Sequence, residues 1–473
     1  MAGHEHAADR PGGIGGHGGP SRPGRDPAAV ALDVLALFEA GRFDEAHTLF
    51  SPRLREAAPA ATVAELWHRE LAGRPILSRG PVTLHTRKDG LVTATMPVRT
   101  GTGDGDRGGD DGDDSDSGMD VLMSMDEHGL LHGLRFAAAS GAVWSAPGYV
   151  STRRLEEHEV VVGSGADAVP GSVTLPRGWA RLRARLTGGV PGVVLLAGGG
   201  AFDRDETVGP NKPLRDLAWG LATRGIATLR FDKPTLVHAE EFDERGFTLT
   251  EEYLPPALAA IRLLRTHRVV DPARVFVLGH SAGGKAAPRV ARAAQPSVAG
   301  LILLAADACP MHESAVRVAR HLAALDPGPA AEAAFARLTE QAARAADPAL
   351  DPRTPAARLP FGLPAPYWLD LRGYDPVGTA AAAGRPMFIA QGARDYQVTV
   401  EQDLALWRDG LGDRPEVTCR VYPADDHLFF PGTEPATPAS YQVAQHVDPV
   451  LVGDIAGWIR SGGRAATATA GPA

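Results

Sequence analysis

Apolar and polar positions change period as this chain is read from its N-terminus. Val30, Val34, Leu35 and Phe38 recur at helical spacing behind Asp26-Pro27, an N-cap followed by a first-turn proline, and Gly41 stops the run. Further apolar helices are expected around 43–50 and 63–71. From about 75 the period shortens to that of strands, at 81–85, 91–98, 121–125 and 130–138. Helices first and a small antiparallel sheet after predict a small α+β domain over 27–146.

A different rhythm follows. Strand-like runs at 159–162, 173–175, 193–196, 226–230, 275–278, 301–305, 387–390 and 417–422 are interleaved with helical patterns at 213–224, 257–266, behind 281 and at 449–460. This alternation predicts an α/β domain over 147–460, with a mostly parallel sheet and helices on both faces. It pauses over 307–384, where two alanine-rich helical stretches (313–325 and 330–346), a proline-rich loop and Pro366-Tyr367-Trp368-Leu369 intervene. An insertion of that length between core strands predicts a helical lid. Aromatics make up only 6% of the chain, so the adjacent Tyr367 and Trp368 are expected to line a substrate pocket, with anchoring of the lid as the alternative.

Composition narrows the picture. With 44% hydrophobic residues, the 473-residue chain can bury a sizeable core. A net charge of −9 without a basic block argues against nucleic acid as a partner. No stretch approaches 18 apolar residues, so no membrane span is expected. Residues 1–26 lack an apolar leader, and Cys309 and Cys419 are the only cysteines. The expectation is a cytoplasmic protein with both thiols free and disordered tails at 1–26 and 461–473. His4, His6 and His17 read as solvated tail histidines rather than metal ligands. The run 101–118 holds Asp104, Asp106, Asp110, Asp111, Asp113, Asp114 and Asp116 but lacks the closing glutamate of a calcium-binding EF-hand loop. It reads as a disordered acidic insertion, and neither metal nor cofactor is expected.

The chemistry concentrates where Val275-Phe276-Val277-Leu278 runs into Gly279-His280-Ser281-Ala282-Gly283 and then an alanine-rich helix. Strand, G-x-S-x-G and helix is the context of a nucleophile elbow, which lifts a serine hydroxyl clear of a sheet. A serine nucleophile needs a base and an orienting acid. Asp395 follows the strand at 387–390 through Gln391-Gly392-Ala393-Arg394, and His427 follows the strand at 417–422 through Pro423-Ala424-Asp425-Asp426. Both stand at carboxyl ends of strands, in the chain order serine, acid, histidine. Asp307 also follows a strand and competes as the acid. His280 adjoins the serine but points another way on such a turn, and Asp425 and Asp426 are expected to brace the histidine loop. Donors for an oxyanion are expected from the N–H of Ala282 and from Gly198-Gly199-Gly200, with Gly199 favoured. The glycine run fits neither phosphate-binding spacing.

Together with Ala197–Glu206 as Ala197-Gly198-Gly199-Gly200-Ala201-Phe202-Asp203-Arg204-Asp205-Glu206, with Gly209-Pro210-Asn211-Lys212-Pro213, Phe231-Asp232-Lys233, Tyr367-Trp368-Leu369-Asp370, Gln391–Val398 as Gln391-Gly392-Ala393-Arg394-Asp395-Tyr396-Gln397-Val398, and Asp426-His427, these motifs resemble bacterial carboxylesterases of the EstD type within the α/β-hydrolase superfamily. The likeness spans about 190–460. It implies the α/β-hydrolase fold, a Ser281–Asp395–His427 triad, and hydrolysis of small-molecule carboxylic esters through an acyl-enzyme without a cofactor. The stretch at about 27–140 resembles a small domain of unknown function that precedes some of these hydrolases. Ala197-Gly198 stands where the family usually has His-Gly, and Asp232-Lys233-Pro234 where it commonly has Asp-Lys-Arg. Acyl transfer or peptide cleavage on the same fold is the alternative activity, and a non-catalytic binding module a third.

Overall fold

The computed structural model describes residues 25–71, 76–86, 91–100, 117–138, 144–178, 188–239, 241–242, 246–412 and 414–463. The tail histidines, residues 101–116 of the acidic insertion and 464–473 lie outside these residues. The chain divides into two compact units, Met1–Ala137 and Ala138–Ala473. The division precedes the expected 146/147 boundary because Trp144 belongs to the second unit. Its indole N–H donates to Asp216 (2.8 Å) and its ring meets Trp219 edge-on at 5.0 Å.

The first unit holds α1 (Pro27–Glu39), α2 (Phe43–His47), α3 (Pro52–Ala57) and α4 (Ala60–Leu71), then β1 (Ile76–Arg79), β2 (Thr83–Thr86), β3 (Val92–Thr100), β4 (Ser117–Met125) and β5 (Leu131–Ala138). Asp26 caps α1 by accepting from the N–H of Ala28 at 3.1 Å. The sheet runs β1-β3-β4-β5 with β2 also on β3. Val34, Leu35 and Phe38 of α1 and Trp67 of α4 cover Met96 and Met123 of the sheet.

In the second unit the elements are β6 (Leu155–Val162), β7 (Val169–Pro176), β8 (Val190–Leu196), α5 (Pro213–Thr223), β9 (Ala227–Phe231), α6 (Pro234–Val237), α7 (Leu249–Thr266), β10 (Val270–His280), α8 (Ala282–Ala293), β11 (Leu301–Leu304), α9 (Met311–Leu325), α10 (Pro329–Ala346), α11 (Ala365–Arg372), α12 (Pro376–Ala383), β12 (Met387–Gly392), α13 (Ala405–Leu411), β13 (Val417–Tyr422) and α14 (Pro449–Arg460). The sheet order is β13-β12-β11-β10-β8-β9-β7-β6. Pairing is parallel from β13 to β9 and antiparallel at β7 and β6.

Strand alternation divides the core. Val194, Leu196, Val277, Leu303 and Ile389 pack on the face covered by α7 and α8, and their neighbours Val193, Leu195, Phe276, Leu278, Ile302 and Phe388 on the face covered by α5 and α14. Among the helical segments that depart from expectation, two bear on the core. α7 starts at Leu249 rather than 257, carrying Pro255 and Pro256 inside it behind a capping box of Thr248 and Glu251. A helical stretch over 400–411, not anticipated, buries Trp407, whose N–H donates to the Ala306 carbonyl (2.8 Å).

Within the insertion, α9 packs on α10, whereas α12 packs on α8 as a flanking helix of the sheet. Among the described residues no helix is long and apolar enough to cross a membrane.

Candidate active site

β10 ends at His280 and α8 begins at Ala282, so Ser281 alone makes the turn. It does so at φ 51°, ψ −121°, a conformation that costs a non-glycine residue about 1–3 kcal/mol and persists only when surroundings enforce it. The enforcement is visible. The Ser281 N–H is tied to the Leu304 carbonyl at 2.9 Å. A Cβ on Gly279 would fall 2.2 Å from the Gly283 carbonyl oxygen, and one on Gly283 would fall 2.5 Å from that of Ala197. Both glycines of the motif are therefore required by close backbone approach.

Ala282 is the first residue of α8, where a helix leaves its N–H groups without internal partners. Gly199 lies against it: a Cβ on Gly199 would stand 3.6 Å from that of Ala282. The loop holding Gly199 is fixed from beneath. The Gly198 carbonyl accepts from Lys233 Nζ (2.7 Å) and the Tyr253 hydroxyl (2.8 Å), which also faces the Ala197 carbonyl (3.0 Å). Burial holds the Tyr253 pKa well above the usual phenol value, so it remains a donor. Lys233 is in turn paired with Glu252 at 2.8 Å. On the other side, the Gly198 N–H donates to Glu206 Oε1 at 2.8 Å. With alanine at 197, Tyr253 supplies a hydrogen bond to that part of the loop.

Asp395 and His427 meet beside His280, the residue before Ser281, whose Nε2 lies 2.9 Å from the His427 carbonyl oxygen. His427 Nδ1 lies 2.8 Å from Asp395 Oδ2, and both residues are buried. The Asp395 carboxylate is aimed by three more donors: Gln391 Nε2 (2.9 Å) on Oδ2, and the N–H groups of Gln397 (2.8 Å) and Val398 (3.0 Å) on Oδ1. An Nδ1–H donated to the carboxylate leaves the Nε2 lone pair of His427 free to act as a base. Among the described residues no hydrogen bond joins Ser281 to His427; such bonds are often long in a free site and tighten with substrate. A Cβ on Gly392 would lie 2.5 Å from the carbonyl oxygens of Asp425 and Asp426, so β12 and the loop that carries His427 are in tight contact.

The competing residues are engaged elsewhere. Asp307 pairs with Lys285 at 2.8 Å. His280 turns away from the serine, with Nδ1 2.7 Å from Glu206 and Nε2 2.9 Å from the His427 carbonyl oxygen. Burial opposes its imidazolium, but the charge of Glu206 and its hydrogen bond outweigh that, so its pKa stands above the ordinary histidine value. Asp426 braces the histidine loop, accepting from the N–H groups of Leu428 (2.9 Å) and Phe430 (3.0 Å). Asp425 does not: it is buried and neither carboxyl oxygen has a partner. Burial, then the nearby Asp448 and Asp426, push its pKa up to about 8.

Tyr367 and Trp368 are placed differently from the pocket-lining expectation. Trp368 is buried in a small core of the insertion with Ala345, Leu350, Leu359 and Ala365. Tyr367 is buried against Phe247, ring centroids 5.4 Å apart, with its hydroxyl facing Glu252 at 3.4 Å. At 2% and 3% exposure neither offers a surface to a substrate. Helical spacing puts the two on different sides of α11, so one meets the sheet core and the other the insertion's own. The motif reading also passed over Glu206, Lys233, Glu252 and Tyr253. Glu206 and Lys233 stand in motif stretches already singled out, but nothing local signals what they touch.

Comparison with known proteins adds to this geometry. Esterase EstD of Thermotoga maritima is 33% identical over 341 residues, covering 72% of this chain and 76% of that protein. No family model matches the sequence. Similar solved structures include Est1E from Butyrivibrio proteoclasticus (15% identity, 64% of this chain and 98% of that one, TM-score 0.40). Another is a hyperthermophilic esterase from Pyrobaculum calidifontis (16% identity, 66% and 87%, TM-score 0.41).

Proposed function

We propose that this chain, which belongs to the EstD-type esterases of the α/β-hydrolase superfamily and is a carboxylic ester hydrolase, cleaves its ester through a covalent acyl-enzyme on Ser281. Ser281 Oγ attacks the ester carbonyl while His427 Nε2 takes its proton. The tetrahedral oxyanion is met by the N–H groups of Gly199 and Ala282. Collapse breaks the bond to the alkoxide, which leaves as the alcohol with the proton held by His427. Water, deprotonated by the same nitrogen, then attacks the acyl-serine, and the acid and free Ser281 are released. Asp395 holds the imidazole in the working tautomer and balances the imidazolium.

The observation that supports this reading is the His427–Asp395 hydrogen bond (2.8 Å), on a loop tied at 2.9 Å to His280, the residue before the strained Ser281 turn. Small or medium acyl esters are the proposed substrates, with no cofactor, no nucleic acid and no membrane involved. A cytoplasmic location is supported by Cys309 and Cys419 both being free thiols. The insertion after β11 is proposed as the lid. The test is Ser281→Ala assayed on p-nitrophenyl esters of graded chain length: kcat is expected to fall by at least ~10⁴-fold with the fold intact. Turnover equal to the unaltered chain on every ester would overturn the mechanism.

A further inference from the structure

The His280 side chain bridges the loop that carries His427 and, through Glu206, the loop that carries Gly199. Its Nε2 reaches the carbonyl of His427, on the loop that supplies the base, at 2.9 Å. Its Nδ1 reaches Glu206 Oε1 at 2.7 Å, and that same oxygen accepts the N–H of Gly198 at 2.8 Å, one residue before the oxyanion donor Gly199. The two histidine rings lie 4.8 Å apart. Ser281 follows His280 directly.

Hydrogen-bond logic assigns the protons. A carbonyl only accepts, so Nε2 carries hydrogen. As a carboxylate Glu206 only accepts, so its Oε1 takes the Nδ1–H beside the Gly198 N–H, and both ring nitrogens are donors. His280 is then an imidazolium with Glu206 as its counter-ion. The pair is buried, at 5% and 2% exposure. Glu206 Oε2 is buried without a partner, so Oε1 alone makes the connection. The chain is shaped around it. Glu206 is held at φ 54° by a turn in which its N–H bonds the Asp203 carbonyl (3.0 Å) and the Asp203 carboxylate accepts from Thr207 (2.6 and 2.9 Å). A Cβ on Gly198 would sit 2.6 Å from Glu206 Oε1, so only glycine admits the carboxylate.

We propose that His280 and Glu206 are positioning residues that form a charged bracket setting the distance between the oxyanion donors and the His427 base. This rests on the acyl-enzyme reading above. A misplacement of ~1 Å between such groups is enough to cost ~10²-fold in rate. The bracket touches no substrate, so its loss acts on turnover rather than on binding.

The test uses the full chain with three variants. His280→Asn keeps a donor near the Nδ1 position and His280→Gln one near Nε2, so each preserves one arm. Glu206→Gln keeps the shape and removes the countercharge. Each is expected to lower kcat for p-nitrophenyl butyrate by ~10–100-fold per fluorophosphonate-titrated serine, with KM within about two-fold. Fluorophosphonate labelling should slow in parallel. A lower melting temperature with unchanged kcat per titrated serine would mean that His280 and Glu206 serve the fold alone, and the bracket is overturned. Should both His280 variants fail to fold, Glu206→Gln decides, full kcat there overturning it. Ser281→Ala run alongside separates the two readings. An active Ser281→Ala protein sinks the acyl-enzyme and the bracket together. An inactive one beside fully active His280 and Glu206 variants sinks the bracket alone.

Discussion

Asp395 and Asp307 both stand at carboxyl ends of neighbouring strands, and partners distinguish them. Asp395 faces His427 and three further donors, whereas Asp307 faces Lys285 Nζ. Asp395→Asn leaves the site's shape but presents an amide to Nδ1, favouring the wrong tautomer. It is expected to lower kcat by about 10⁴-fold. Asp307→Asn keeps a hydrogen-bond acceptor beside Lys285 and should change kcat by less than about ten-fold. Steady-state kinetics of the two proteins side by side is the measurement, and the reverse ranking would move the acid to Asp307.

The insertion is tied to the segment after β12 and to α8. On α9, Arg317 reaches Asp403 (2.8 Å) and the Gln397 carbonyl (2.7 Å), and His321 stacks at 4.9 Å on Tyr396, next to Asp395. On α11, Asp370 accepts from Arg289 of α8 at 2.7 Å. Between these ties the insertion has only a small core of its own, with Trp368 its largest side chain. Removing a buried indole costs about 3–5 kcal/mol where the site cannot collapse. Trp368→Ala is expected to lower Tm by ~5 °C or more, while the ratio of kcat/KM for butyrate and octanoate p-nitrophenyl esters stays within about two-fold. A several-fold change in that ratio with Tm unchanged would return Trp368 to the substrate pocket.

Stability of the whole fold should depend on pH through groups held in unusual protonation states. Asp425 is a carboxyl whose pKa is raised in the folded chain to about 8, so the native state retains a proton that the unfolded chain gives up near pH 4. Stability from this residue is highest below the unfolded value and falls as pH rises from there towards about 8. His280, also raised, contributes stability fully below the ordinary histidine value, lost as pH climbs through its folded value. Both run the same way, favouring the acid side of neutrality. Asp425→Asn, nearly isosteric with the neutral acid, is expected to raise Tm by at least ~3 °C at pH 8.5 and by close to nothing at pH 4. Thermal melts across that range read it out, and an equal shift at both pH values would show that Asp425 does not titrate as argued.

The turn at Ser281 and the pairing of Asp395 with His427 were legible because each residue comes shortly after a strand, and strand periodicity with turn chemistry is local information. The same holds for the alternating β and α pattern and for the Asp26 cap on α1. Elsewhere packing decided: the helix expected over 257–266 begins at Leu249, and α7 carries Pro255 and Pro256 between its capping box and a buried face. Tyr367 and Trp368 show the limit of reading aromatics by scarcity, since burial depends on which core each side of α11 meets. What holds the oxyanion loop came only from the fold. Glu206, Lys233, Tyr253 and His280 reach Gly198 or its neighbours from up to 82 positions away in sequence order, as counted from Gly198 to His280. No spacing rule along the chain encodes such contacts, because they arise when the parallel sheet brings the ends of β8, β9 and β10 to one edge and buries polar groups that must then find one another.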